Sequence, residues 1–256
     1  MTPTPVGMRC PECSADRTKV TTGTQSFGRS NAAPATYTFI ALNVIGFLAQ
    51  IGSGLGGFND IGTVGIDFGL VPALVADGEP YRVVTAAFLH AGPLHLAFNM
   101  FALYILGTLM EPVIGTARFV ALYIASLLAG SLGVVILEPD SLGVTVGASG
   151  AVFGLFAAAF LIARGRGMQE ISSQIGFLIV INLVLTFGIP GISIGGHIGG
   201  LIGGGICALV ILAGDRGSLG ARRVPTEVAA MAAIAVVCGV AAVALAEVPQ
   251  LPLLAP

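Results

Sequence analysis

Long apolar segments constrain the fold of this chain more than any other feature of its sequence. A membrane-spanning helix needs about 20 mostly apolar residues. Hydrophobic residues make up 55% of the chain and charged residues only 9%, whereas a soluble domain carries about a quarter charged residues. We therefore predict an all-α membrane protein, a polytopic helical bundle, with spans at roughly 36–55, 92–113, 117–137, 148–164, 173–190, 194–214 and 227–247.

The spacing of these segments predicts a six-helix core, residues 36–214, and one additional C-terminal transmembrane helix. The long first loop of the core, 56–91, is the longest internal connection, and loops of this length without obvious structure are usually functional. The 37 glycines favour closely packed helices, because small residues let helix backbones approach each other in membranes. A polar tail, 1–35, precedes the core. A linker, 215–226, the additional helix, 227–247, and an end tail, 248–256, follow it.

The positions of the basic residues predict the orientation of the chain. Cytoplasmic loops are enriched in Lys and Arg. With the N-terminus inside, ten of the eleven basic residues fall on the inner side and only Arg82 falls outside. The ten are Arg9, Arg17, Lys19, Arg29, Arg118, Arg164, Arg166, Arg216, Arg222 and Arg223. We expect a multi-pass protein of the cell (plasma) membrane with a cytoplasmic N-terminus and an external C-terminus.

All three histidines lie in or beside predicted spans, where ionisable groups indicate function by default. Spans two, four and six run from the outer face inward, and each carries polar residues in its first turns: His95 with Asn99, Ser149, and His197. Seven residues of helix descend only about 10 Å. These four side chains are therefore predicted to lie at one depth below the outer surface.

The residue types in this layer match the needs of acyl transfer at an amide. Ser149 supplies a hydroxyl nucleophile, and a neutral His197 is the general base and later the general acid. His95, Asn99 and the backbone N–H of Ser149 supply donors for an oxyanion. The sequence offers no third acid near His197, so we predict a dyad, with Phe153 packing under the imidazole in place of a carboxylate.

Each of these residues also has an ordinary structural interpretation. A serine between glycines near a helix start is more often a packing or capping residue, and an intramembrane histidine is more often hydrogen-bonded structure. The glycines beside His197 by themselves indicate only close helix packing. A non-catalytic membrane protein and a proton-coupled transporter are the alternative functions, although transporters usually show internal repeats and none is visible here. A soluble hydrolase is excluded because Ala151 breaks the G-x-S-x-G pattern.

No cofactor and no nucleic-acid partner is expected. A net charge of −2 and a pI of about 5.9 give no basic footprint for nucleic acid. Cys10 and Cys13 form a lone C-x-x-C, which at most supplies half of a shared or degenerate metal site, because zinc needs about four ligands. Cys207 and Cys238 lie in apolar runs and are predicted to be small buried hydrophobes.

At these motifs the chain resembles the rhomboid family of intramembrane serine proteases. Residues 88–100, FLHAGPLHLAFNM, contain His90, His95 and Asn99 with the family's H-x4-H-x3-N spacing. Gly147-Ala148-Ser149-Gly150 matches the catalytic G-x-S-G. The catalytic histidine with its packing glycines corresponds to His197, Gly200 and Gly204. Tyr81-Arg82 and Glu111 also match, although the usual Trp-Arg pair is Tyr-Arg here and Phe153 replaces a tyrosine.

The resemblance implies a fold, an activity and a substrate class. It implies an endopeptidase that cuts single-span transmembrane proteins in or near the membrane, or alternatively a non-catalytic rhomboid-like factor for membrane-protein binding or quality control. The first loop would lie partly in the outer leaflet, the 188–191 loop would cap the site, and span five would gate lateral entry. The additional helix resembles the seven-helix form of the family. The resemblance leaves the oligomeric state open.

Overall fold

The structure, a computed structural model, describes residues 2–4, 7–9, 32–54, 61–217 and 220–247. Each of the seven predicted spans coincides with a helix. Among the described residues, six helices are long and apolar enough to cross a membrane, and a seventh apolar helix, α7, is shorter at 17 residues. The seven are α1 (Pro34–Gly52), α5 (Pro93–Ile114), α6 (Thr116–Leu137), α7 (Ser149–Gly165), α8 (Gln169–Gly188), α9 (Ile194–Arg216) and α10 (Arg223–Ala244). The predicted all-α membrane bundle is confirmed.

The N-terminal tail up to residue 31 has six described residues, 2–4 and 7–9. Its described residues make a small antiparallel hairpin of β1 (Thr2–Thr4) and β2 (Gly7–Arg9), in which Thr2 pairs with Arg9. The sequence analysis did not predict these strands. Cys10 and Cys13 lie outside the described residues, as does the predicted end tail 248–256.

The long first loop contains regular structure that the sequence analysis did not predict. Three short helices, α2 (Gly62–Phe68), α3 (Pro72–Ala76) and α4 (Arg82–Thr85), are followed by a 3-10 turn, Ala86–Phe88. Apolar periodicity cannot identify helices of four to seven residues, because one or two turns hold too few repeats.

Arg82 organises this loop from a buried position. Its guanidinium donates to the carbonyl oxygens of Ile66 and Gly69 at 2.8 and 2.6 Å, and to Glu79 at 2.5 Å. The hydrogen bond from Arg82, joined by one from the Tyr81 hydroxyl at 2.9 Å, lowers the pKa of the Glu79 carboxyl. The same Glu79 carboxylate raises the pKa of Tyr81. One arginine thus ties together several backbone segments of a loop that also buries the apolar side chains of Leu70, Val75 and Val83.

Close backbone contacts join α6, α7 and α9 into the centre of the bundle. A side-chain carbon at Gly200 on α9 would collide with the carbonyl of Gly150 on α7, and one at Gly204 would collide with Gly154. Bulkier residues at these positions would push α7 and α9 apart. The glycines therefore set the distance between the helices that carry Ser149 and His197.

Two buried carboxylates tie helices together away from this contact. Glu111, near the end of α5, accepts from the backbone N–H groups of Ala35 and Thr36 at 3.0 and 2.8 Å, and from the hydroxyls of Thr36 and Thr116 at 2.8 Å each. It thereby satisfies free donors at the start of α1. Glu227 on α10 pairs with Arg118 on α6, which joins the additional helix to the core.

Candidate active site

Gly147 and the start of α7 place Ser149. Gly147 has φ of 134°, a conformation that favours glycine, and its N–H donates to the Ala86 carbonyl at 2.9 Å. The chain then enters α7 directly at Ser149, which is the first helical residue. The N–H groups of a first helical turn have no partner within their own helix. Ser149 therefore combines a partly exposed hydroxyl with a helix start that favours negative charge.

His95 lies beside Ser149 in a defined tautomer. Its Nδ1 accepts a hydrogen bond from the Ala91 N–H at 3.2 Å, so in the neutral ring the proton is on Nε2. A carbon built at Gly147 would lie 2.9 Å from His95 Nε2 and 3.6 Å from Ser149 Oγ. The Nε2–H of His95 and the Ser149 hydroxyl thus both lie next to the position that a side-chain carbon at Gly147 would occupy.

Asn99 lies one turn further along α5. One hydrogen of its amide group donates to the His95 carbonyl at 2.9 Å, and an amide NH2 group has two hydrogens. The side chain is buried, with only 6% of its surface exposed. The second amide hydrogen of Asn99 is not used in this bond, and the bond of the first hydrogen holds the side chain in a fixed position.

His197 is held between α7 and α8. Its ring stacks on Phe153 with a centroid distance of 4.0 Å and an angle of 15°. Phe153 lies one turn after Ser149, on the same face of α7. On the other side, His197 Nδ1 lies 2.7 Å from the hydroxyl of Thr186 on α8. The imidazole therefore packs against the α7 face that carries the serine.

Ser149 and His197 lie on two helices that meet closely beside these residues. A side-chain carbon built at Gly150 would lie 3.3 Å from the carbonyl oxygen of Gly196, which is closer than most such contacts, so α7 and α9 meet at the residues next to Ser149 and His197. Within the described part of the chain, no hydrogen bond joins Ser149 Oγ to His197. Such bonds are often long in unliganded sites and tighten when substrate binds.

The residues of the candidate site differ in their exposure. Ser149, His95 and His197 are each partly exposed, whereas Asn99 and the glycines that separate the helices are buried. The site lies at the beginning of α5, α7 and α9, at one end of the bundle.

His90 is a buried neighbour of His95. It is fully buried, and its ring packs edge-on against His95 at 5.1 Å. The Gln50 side chain holds its backbone by accepting from the His90 N–H at 2.8 Å and donating to its carbonyl at 3.1 Å. His90 therefore supports the position of His95 from below.

The other predicted supporting residues lie elsewhere. Tyr81 and Arg82 belong to the first loop. Glu111 is 16 residues after His95 on the same helix, which corresponds to about 24 Å along its axis. Across the described ranges, no three His, Cys, Asp or Glu side chains come together as a metal site would require.

Three contributors to the site were missed by the sequence analysis. Thr186 contacts His197 from another helix. Glu138 accepts from the Ser193 hydroxyl at 2.9 Å and from the Gly195 N–H at 2.7 Å, and so caps the start of α9. The third contributor, Ser193, lies immediately before the first residue of α9, and a capping serine at that position is a detectable signal. No local pattern links Thr186 or Glu138 to the histidine.

The comparisons with known proteins agree with this architecture. A family model described as the Rhomboid domain matches residues 77–214, which is more than half of the chain. The rhomboid protease GluP of Bacillus subtilis is 38% identical over 192 residues, covering 73% of this chain and 36% of GluP. YdcA of the same organism is 37% identical over 133 residues, covering 51% of this chain and 66% of YdcA.

A plant relative extends the similarity. RHOMBOID-like protein 5 of Arabidopsis thaliana is 36% identical over 144 residues, covering 54% of this chain and 46% of the relative. This chain thus spans only part of the length of each of these proteins. The predicted resemblance is confirmed over most of the six-helix core. Its Rhomboid domain and its membrane-length helices together establish that the chain belongs to the rhomboid family of multi-pass membrane proteins.

Proposed function

We propose that this chain is an intramembrane serine endopeptidase that hydrolyses peptide bonds in or near the transmembrane segments of single-span proteins. The observation that supports this most is the stacking of His197 on Phe153, one turn below Ser149, at the end of the bundle where His95 presents an N–H. The relatives named as rhomboid proteases support the same activity.

The first half of the reaction forms an acyl-enzyme. Nε2 of His197 accepts the proton of the Ser149 hydroxyl while Oγ attacks the carbonyl carbon of the scissile bond. The oxygen of the tetrahedral intermediate carries the negative charge. The His95 Nε2–H, the second Asn99 N–H and the Ser149 backbone N–H donate to it. The intermediate then collapses, the C–N bond breaks, and His197 gives its proton to the leaving amine.

The second half of the reaction uses water from the open end of the bundle. His197 accepts a proton from the water as its oxygen attacks the acyl carbon, and then returns a proton to Ser149 Oγ as the ester bond breaks. The products are a new carboxylate and the free enzyme. No net redox change occurs and no cofactor is needed.

Lateral entry of the substrate is proposed at α8. This helix is the least buried of the six membrane-length helices in the described part of the chain, so a smaller share of it is packed against the rest of the bundle. In this proposal the protein lies in the plasma membrane with its N-terminus in the cytoplasm, and the site opens to the outer side.

A cleavage assay tests the activity. Purified protein in detergent or liposomes is incubated with a single-span reporter, and the products are identified by mass spectrometry. We expect wild-type protein to cut the reporter and Ser149→Ala to be inactive. Ser172→Ala is the matched control, because Ser172 also lies in the first turns of a helix but bonds only the Gln169 carbonyl, at 3.0 Å. Equal cleavage by wild type and Ser149→Ala would leave the non-catalytic, rhomboid-like binding function as the better account.

A further inference from the structure

The Thr186 hydroxyl makes two short contacts in different directions. It lies 2.7 Å from His197 Nδ1, and it donates to the carbonyl of Asn182, one turn earlier on α8, at 2.7 Å. Thr186 is buried, with 2% of its surface exposed. Both contacts are as short as strong hydrogen bonds of these atom types.

A hydroxyl has one proton, so it can donate only one of these two bonds. The Asn182 carbonyl has no proton and must accept. The hydroxyl therefore donates to Asn182 and accepts from His197 Nδ1. Both contacts are hydrogen bonds only if Nδ1 carries a proton, and a neutral ring with a proton on Nδ1 has a free lone pair on Nε2.

From this geometry we propose that Thr186 is a positioning residue that fixes His197 in the Nδ1-protonated tautomer, with Nε2 free to accept a proton. The inference rests on the proposed function for its catalytic meaning, since Nε2 is the atom that receives the Ser149 proton. The tautomer itself is a property of the protein at rest.

Thr186 fills the role that a buried carboxylate has in a Ser-His-Asp triad, with one difference. The acid of a triad orients the imidazole, selects its tautomer and stabilises the imidazolium. A threonine hydroxyl performs the first two tasks but adds no negative charge. In the described part of the chain, no carboxylate is hydrogen-bonded to His197, so the hydroxyl is the group that performs them here.

The surroundings hold the hydroxyl where it is needed. Threonine is branched at Cβ, which restricts its side-chain rotation in a helix, and its oxygen commonly bonds the carbonyl one turn earlier. Phe153 supports the face of the imidazole while Thr186 holds its edge. When His197 becomes positively charged, the same Nδ1–H bond strengthens because its donor is then ionised.

The tautomer can be measured directly, because the chain has only three histidines. Protein labelled with 15N-histidine is studied by NMR in detergent micelles, at a pH where the imidazoles are neutral. The His197 signals are assigned by their loss in His197→Asn. We expect a protonated Nδ1 and an unprotonated Nε2. An unprotonated Nδ1 in wild-type protein would overturn the proposal, whatever the enzymatic activity.

Substitution of Thr186 separates positioning from general structure. Thr186→Val keeps the shape and removes the oxygen, so we expect His197 to show a mixture of tautomers. The loss of a hydrogen bond to a group that becomes charged is expected to lower kcat about 10- to 100-fold with little change in KM. Thr186→Ser keeps a hydroxyl and is expected to restore the Nδ1–H signal and most of kcat.

The matched control is Thr108→Val on α5. Thr108 also donates to the carbonyl one turn earlier, that of Tyr104, at 2.6 Å, but it is not part of the site. We expect the His197 spectrum and kcat to be unchanged in this variant. An unchanged spectrum in Thr186→Val, or equal effects of Thr186→Val and Thr108→Val, would refute the positioning role.

The two proposals fail in distinguishable ways. If the reporter is cut equally without Ser149, the proposed function fails while the nitrogen spectrum still reports the tautomer. If cleavage needs Ser149 but wild-type His197 has an unprotonated Nδ1, the positioning role fails alone. Should Thr186→Val not fold, the spectra of wild type and Thr186→Ser decide the question.

Discussion

At the residue scale, the polar side chains of the site differ in how much of their hydrogen-bonding capacity is already used. His95 has its Nδ1 occupied by the Ala91 N–H, and Asn99 has one amide hydrogen occupied by the His95 carbonyl. Each therefore retains one donor in a fixed orientation. Donors that are held before substrate arrives need no reorganisation when charge develops, which makes them effective in the transition state.

The role of Asn99 gives a residue-scale prediction. Asn99→Ala removes one oxyanion donor, and the loss of such a donor typically lowers kcat about 10²- to 10³-fold. We expect this loss in the reporter assay with KM little changed. Asn43→Ala is a close control, because the Asn43 amide is also buried and also donates to a carbonyl one turn earlier, that of Phe39, at 2.7 Å. Comparable kcat values for the two variants would exclude Asn99 from transition-state stabilisation.

The sequence predicts some of these residues and not others for a physical reason. Ser149, His95, Asn99 and His197 can be selected because polar side chains stand out within apolar spans and lie at one predicted depth. Thr186 cannot be selected in this way, since a single threonine in an apolar helix is unremarkable. Its contact with His197 depends on the rotation of α8 about its axis, which hydropathy does not determine.

At the scale of helices, the position of His197 relative to Ser149 depends on how closely α7 and α9 approach. Gly200 and Gly204 face the backbone of α7 without room for a side chain. Glu138 and Ser193 cap the start of α9, three to four residues before His197. The glycines thus set the distance between α9 and α7, whereas the cap at the start of α9 sets where His197 lies along the helix axis.

Enlarging Gly200 tests the importance of this approach. Gly200→Ala forces the helices apart, and overpacking of this kind typically costs about 1–3 kcal/mol. We expect a lower free energy of unfolding in mixed detergent micelles, and reduced cleavage. Gly205→Ala on the same helix is the control, because its added carbon would lie 3.7 Å from Leu161, an ordinary contact. Equal stability of the two variants would contradict the packing account.

Element prediction succeeds where apolar periodic segments are long and fails where they are short. All seven predicted spans coincide with helices whose boundaries differ by a few residues. A run of about twenty apolar residues is long enough to cross a membrane as a helix and is uncommon in other structures. The helices of the first loop are not predicted, because each has only four to seven residues and contributes at most two buried apolar side chains, such as Val75 and Val83, which is too few to show a helical repeat.

At the scale of the whole molecule, the two ends of the bundle differ in chemistry. The end that begins α5, α7 and α9 carries the site. The opposite end carries a network in which Arg166 and Arg223 pair with Asp215, and Arg118 and Arg223 pair with Glu227. The arginines that the orientation argument assigns to the cytoplasm are therefore also used to join α6, α7, α9 and α10.

The orientation itself is a whole-molecule prediction. Alkaline phosphatase is active only outside the cytoplasm, so we expect a fusion after residue 247 to be active and a fusion after residue 216 to be inactive in cells. The reverse pattern would place the site at the cytoplasmic face and would contradict the positive-inside assignment. The distribution of basic residues in the sequence predicts the orientation. The partners of these residues in ion pairs cannot be predicted from the sequence, because they depend on how the helices pack.

The most direct test of the central claim is covalent labelling of Ser149. Purified protein is treated with a serine-directed fluorophosphonate, and the modified residue is located by peptide mass spectrometry. We expect a single label on Ser149, absent in His197→Ala, because the hydroxyl reacts only when the imidazole accepts its proton. Labelling that persists in His197→Ala, or a wild-type protein that is not labelled at Ser149, would contradict the account.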